Sequence, residues 1–84
     1  MSEFLLLGTS HCALCDQAED VLASVIEEFT DATVYTVDIA EDSALVETYG
    51  DSIPVLISSA LGSGLYWPFD AELLREFLNA GLQE

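Results

Sequence analysis

The stretch Gly8–Phe29, GTSHCALCDQAEDVLASVIEEF, holds the chain's two cysteines, Cys12 and Cys15, at the mouth of an amphipathic segment. Ala18, Val21, Leu22, Val25, Ile26 and Phe29 recur at three- and four-residue steps, and Glu19, Asp20, Glu27 and Glu28 take the other side. That spacing predicts a helix from Cys12 or Ala13 to Phe29. Just upstream, within Glu3 to Gly8, Phe4, Leu5, Leu6 and Leu7 form an unbroken apolar run ended by Gly-Thr-Ser. A short run of this kind reads as a strand buried on both faces. Downstream, Thr33 to Ile39 intersperses Val34, Tyr35, Val37 and Ile39 with polar residues and is rich in β-branched types, which reads as a second strand. A strand, a helix and a strand over this span form a parallel, right-handed βαβ unit.

The remainder adds a short helix over Ser43 to Tyr49, with Gly50 expected as a left-handed cap. Val55 to Ser58 reads as a third strand, Leu61 to Gly64 as a turn and Leu65 to Trp67 as a fourth strand, an antiparallel hairpin. Asp70 is the expected N-cap of a last helix whose Leu73, Leu74, Phe77 and Leu78 share a face, with Gly81 as its stop. The order is βαβαββα, an α/β chain expected to form one domain over residues 1–84.

Sixteen Asp and Glu stand against a single Arg75 and no lysine, with His11 the one histidine, for a formal net charge of −15. Nucleic acid and anionic membranes are excluded as partners by that balance, and a basic protein is favoured. The apolar fraction of 51% argues against the disorder that acidic excess alone suggests. No basic leader precedes an apolar core, and no apolar run approaches the roughly 20 residues of a membrane span. The expectation is a cytoplasmic monomer, in a compartment that keeps thiols reduced.

Three roles are open to a Cys-Ala-Leu-Cys pair. As a staple it is poor, because the chain-entropy relation gives so short a loop only about 2 kcal/mol. As a zinc site it lacks ligands: His11 offers a third and no fourth is apparent, so no metal is expected. As a redox pair it has a physical rationale. A thiolate at Cys12 would meet the unpaired amides and positive dipole end of the helix, and Cys15, one turn on, could attack a mixed disulfide there. His11 could stabilise the thiolate as imidazolium or accept the thiol proton as imidazole. Asp16 reads as a first-turn acid that complements the helix dipole but disfavours a nearby thiolate, with a proton-transfer role as the alternative.

The run Gly-Thr-Ser-His-Cys12-Ala-Leu-Cys15 after a strand, then a helix and a second strand, then Ser52-Ile53-Pro54 opening a third, resembles the glutaredoxin family of the thioredoxin-like fold over essentially the whole chain. The resemblance extends to short bacterial glutaredoxin-like proteins in which an acid follows the second cysteine, as Asp16 does. It implies a four-stranded mixed sheet flanked by helices and a thiol-disulfide oxidoreductase with Cys12 as nucleophile and Cys15 as resolver. It also implies a cis Pro54 beside the pair. Such a bond would hold the Ile53 backbone ready to pair with an extended protein disulfide or small thiol substrate. Phe69 and Asp70 match the family's position for the γ-glutamyl carboxylate of glutathione. The chain departs from the family's glutathione pattern in having no cation between Ser43 and Tyr49 and an Arg75 expected to turn outward. Glutathione is therefore expected to bind weakly, and no tightly bound cofactor is expected. Tyr49, Tyr66, Trp67 and Phe69 are read as core residues, with an apolar groove at the site as the alternative. Two further readings are an acidic adaptor that keeps the fold without catalysis and a glutathione-assisted iron-sulfur carrier.

Overall fold

The computed structural model describes residues 2–83; Met1 and Glu84, the ends of the expected domain, lie outside the described residues. Its elements are β1 (Ser2–Gly8), α1 (Ala13–Ile26), β2 (Ala32–Asp38), a 3₁₀ turn (Ile39–Glu41), α2 (Ser43–Tyr49), β3 (Val55–Ser58), β4 (Ser63–Tyr66) and α3 (Ala71–Leu82). They form one four-stranded mixed sheet in the order β2-β1-β3-β4. β1 runs parallel to β2 and antiparallel to β3, and β3 pairs antiparallel with β4. β2 and β4 are the two edges.

The unbroken apolar run of β1 divides between the two faces of the sheet. Phe4 and Leu6 join Ala18, Val25, Phe29, Leu56, Phe69, Leu74 and Leu78 in the larger core, beneath α1 and α3. Leu7 joins Ile39 and Val55 on the opposite face, where Leu5, Val37, Leu45, Tyr49, Ile53 and Ile57 are only partly buried. One face thus carries two long helices. The other carries the 3₁₀ turn, through Ile39, and the short α2, in which no residue is fully buried.

Several details differ from the sequence reading, beyond β1 starting one residue earlier at Ser2. α1 stops at Ile26 because Glu28 N–H and Phe29 N–H bond back to Val25 and Ile26, tightening the final turn, while Phe29 still fills the core. The acids Glu27 and Glu28 at that end oppose the helix dipole. β2 runs one residue out of phase with the expectation, since the Asp38 side chain accepts Ala40 N–H at 2.9 Å and turns Ile39 into the 3₁₀ turn. Gly50 is not left-handed: at φ −52 it continues the helical sense, and a Cβ there would stand 2.5 Å from the Val46 carbonyl oxygen. β4 begins earlier, at Ser63, after a turn closed by Gly62 at φ 67. α3, capped by Asp70 through Leu73 N–H at 2.8 Å, runs through Gly81 instead of stopping there.

Gly81 serves packing. An ideal Cβ at that position would lie 2.6 Å from Phe4 Cζ and 2.7 Å from Phe4 Cε2, so only the missing side chain lets α3 approach β1 this closely. Arg75, the sole cation apart from histidine, ties α3 to the turn that follows α1 by donating from Nε and Nη2 to the Glu28 carboxylate, with the salt bridge at 3.0 Å. That hydrogen bond and the adjacent charge of Glu28 hold the Arg75 guanidinium above its ordinary range. Among the described residues no helix is long and apolar enough to cross a membrane.

Candidate active site

β1 delivers the chain to the site. After Gly8 the backbone turns through Thr9, Ser10 and His11, with His11 in the left-handed region at φ 60, and enters α1 at Cys12. Cys12 is the N-cap: its backbone is extended, and its Sγ accepts the N–H of Cys15 at 3.1 Å. The sulfur occupies the position usually held by a Ser or Asp oxygen, facing amides that have no partner inside the helix. That environment favours negative charge on Cys12 once the bond between the cysteines is open.

Cys12 and Cys15 are joined in a disulfide, with their Cα atoms 5.2 Å apart. The two sulfurs are not equivalent. Cys15 is 7% exposed, whereas Cys12 is only partly covered, so an incoming partner reaches Cys12 first. Cys15 rests on the end of β1: a Cβ added to Gly8 would lie 3.0 Å from Cys15 Sγ.

Leu7 pairs with Val55, and continuing that antiparallel register by one residue sets Pro54 beside Gly8. The Ile53–Pro54 peptide bond is cis, as is Trp67–Pro68. Pro54 is buried, and its carbonyl accepts Trp67 N–H at 3.2 Å, which ties the end of β4 to the site. Ile53 is positioned differently from the expectation for strand-like pairing. Its N–H already donates to the Tyr49 carbonyl at 3.1 Å, so the Ile53 carbonyl is the backbone group left for an extended substrate.

The aromatic residues read as core, with a groove as the alternative, divide between the two. Phe69 is 5% exposed and lies in the larger core, with the Trp67 ring edge-on at 5.0 Å, so its ring forms no wall of an open groove. Tyr66 is exposed and faces Tyr49 at 6.5 Å on the α2 side. Asp70 is exposed, with its carboxylate already engaged as the α3 cap.

A cleft of about 290 Å³ opens beside Cys15 where β1, β2 and α1 meet, lined by His11, Asp16, Glu19, Thr36 and Asp38 among others. Glu19, Thr36 and Asp38 were not singled out as site residues by the sequence. A signal for Glu19 was present: it stands four residues after Cys15, on the stripe of Cys15, Leu22 and Ile26, as its one charged member. Among the described residues, no three His, Cys, Asp or Glu side chains are grouped to hold a metal ion.

A family model described as Glutaredoxin-like domain (DUF836) matches residues 3–79. No curated protein matches the chain. Among solved structures, target protein XcR50 from X. campestris is 39% identical, with a TM-score of 0.78 over 92% of this chain and 96% of that one. A variant of thioredoxin from Halobacterium salinarum is 25% identical, with a TM-score of 0.73 over 94% of this chain and 73% of that one. Protein Ne2328 from Nitrosomonas europaea, 18% identical with a TM-score of 0.75 over 90% and 89% of the two chains, shares the fold.

Proposed function

The chain belongs to the glutaredoxin-like domain family and has a redox-type, thioredoxin-like function; from that premise we propose that it exchanges disulfides through Cys12 and Cys15, with a protein disulfide as substrate. The observation that carries this reading is the cap geometry: a partly exposed sulfur faces the Cys15 amide at 3.1 Å while its partner sulfur is buried one turn along. In the reducing direction, the Cys12 thiolate attacks one substrate sulfur, forming a Cys12 mixed disulfide and releasing the other sulfur as thiolate. Cys15 then attacks Cys12 Sγ, forms the internal disulfide and displaces the remaining substrate sulfur with its electron pair. His11, next to the nucleophile, favours the thiolate as imidazolium. The Ile53 carbonyl, the Pro54 surface and the Phe69 and Asp70 backbone orient the substrate chain. The protein acts as a monomer in the cytoplasm, where a reductant regenerates the dithiol.

Charge supports a protein substrate over glutathione. The tripeptide is anionic, Arg75 is engaged by Glu28, and each charge-assisted hydrogen bond that fails to form forgoes roughly 1.5 to 3 kcal/mol. Rates with a Lys-flanked cysteine peptide disulfide are expected to fall as salt rises, and rates with glutathione disulfide to rise, because screening removes attraction in one case and repulsion in the other. Stopped-flow rates across a salt series test this; parallel slopes contradict it.

The exchange itself is tested by trapping. A Cys15→Ser chain performs the first attack and cannot complete the second, so it should accumulate one mixed disulfide per chain, visible as a mass increase that dithiothreitol removes. Absence of an adduct from both peptide and protein disulfides defeats the proposal.

A further inference from the structure

Resolution of the mixed disulfide requires the Cys15 thiol to lose its proton at a place where water scarcely reaches it, since Cys15 is 7% exposed. Burial in apolar surroundings disfavours the thiolate, so an acceptor near this sulfur would govern the second step. The larger core beneath α1 offers none: its members are apolar, and the one buried polar side chain among the described residues, Ser58, already accepts Leu61 N–H. The cleft beside Cys15, by contrast, is lined by polar and titratable residues and reaches this sulfur's side of the helix.

The titratable groups lining that cleft are His11 from the turn, Asp16 and Glu19 from α1, and Asp38 from β2. Asp38, on β2, accepts the Ala40 amide through Oδ1 as the cap of the 3₁₀ turn, which fixes that carboxylate toward the turn. Asp16 follows Cys15 directly and so projects about 100° around the helix from it. His11 immediately precedes Cys12 and serves the first step. Glu19, four residues after Cys15, stands one turn along on the same side of α1, and its side chain and Cys15 open on the same cleft.

We infer that Glu19 is the proton acceptor for Cys15 in the resolving step, a role that rests on the exchange proposed above. The Cys15 thiol proton passes to the Glu19 carboxylate, directly or through one water, as the Cys15 sulfur attacks Cys12 Sγ. The Cys12–Cys15 bond forms, the bond from Cys12 to the substrate sulfur breaks, and the electron pair leaves on that sulfur. The proton then returns from Glu19 to solvent or to the departing thiolate. The substrate disulfide is the only oxidant required. Transfer also avoids a like-charge pair, because Glu19 becomes neutral as the sulfur becomes anionic.

The test uses reduced full-length protein mixed with 5,5′-dithiobis(2-nitrobenzoate), whose chromophore is released once when Cys12 is attacked and again when Cys15 resolves the adduct. In Glu19→Gln the first release should keep its rate, which also reports an intact fold. The second should slow by about tenfold or more near pH 6, with the deficit shrinking as pH rises and thiolate forms unaided. Glu19→Ala should regain part of the second rate with added acetate, and His11→Gln should leave the pH profile of that phase intact. An unchanged second phase in Glu19→Gln, a deficit equal at all pH values, or transfer of the effect to His11→Gln overturns the assignment. Because the reagent needs no protein partner, a wrong substrate class leaves this result readable; failure of the first release in the unsubstituted protein refutes the exchange reading itself.

Discussion

Cys12→Ser is expected to lower turnover of a cysteine mixed disulfide by about three orders of magnitude or more, the scale of losing an enzyme's attacking group. Serine isolates the chemistry unusually well here. Its hydroxyl is among the preferred N-caps and can accept the Cys15 amide as the sulfur does, so α1 keeps its start. What disappears is the nucleophile, because a serine hydroxyl is not ionised at neutral pH. Comparison with the reduced parent protein removes the contribution of the internal disulfide, about 2 kcal/mol at most for so short a loop. Turnover measured by coupled reductant consumption, with circular dichroism as the fold control, decides the matter. Unchanged turnover would exclude Cys12 as nucleophile. A parent protein that binds a basic partner without any turnover, and a serine variant that binds it equally, would indicate an adaptor.

The second large effect concerns stability. Phe4 is 0% exposed, its ring lies 6.1 Å from that of Phe77, and it is the surface on which Gly81 of α3 rests. Phe4→Ala is expected to cost about 3–5 kcal/mol. At about 0.05–0.15 kcal/mol per residue, that is a large part of the whole stability of a chain this size. Gly81→Ala approaches the same contact from the opposite side. A helix-interior alanine should gain about 1 kcal/mol over glycine. The added carbon meets a ring that has no room to retreat, however, and overpacking of this kind costs about 1–3 kcal/mol. In a Phe4→Leu background the obstruction shrinks and the alanine should be better tolerated. Urea unfolding of the two single variants and the double variant gives the coupling, expected at about 0.5–3 kcal/mol. Simple additivity would mean that the close approach of α3 to β1 is not what selects glycine.

The architecture was legible because its decisive segments carry strong periodic signals. The apolar run Phe4–Leu7 fits a strand buried on both faces, and Leu6 and Leu7 do fall in different cores. Cys12 at the helix start and Asp70 as a cap could be read locally, since capping depends on residues within one turn. Gly50 and Gly81 could not, because glycine after an apolar stripe signals a stop equally well whether it is needed for φ or for space. Distinguishing the two requires knowing that Phe4 lies across from Gly81. Glu19 was missed for a related reason. A charged residue is assigned to the solvent side by default, and only β2 folding alongside α1 turns that position into the wall of a cleft. The engagement of Ile53 N–H by Tyr49 likewise depends on how α2 ends and has no local sequence mark.

The edge strand β2 has a colloidal consequence. Seven residues long, without proline or lysine, it presents a row of backbone groups onto which another strand could be laid. Identical molecules approaching that edge meet mutual repulsion, supplied by a formal charge of −15 per chain. Acid that neutralises the carboxylates withdraws this protection from every copy at once, so the shelf life of a concentrated solution depends on its alkalinity more than on the tightness of the fold.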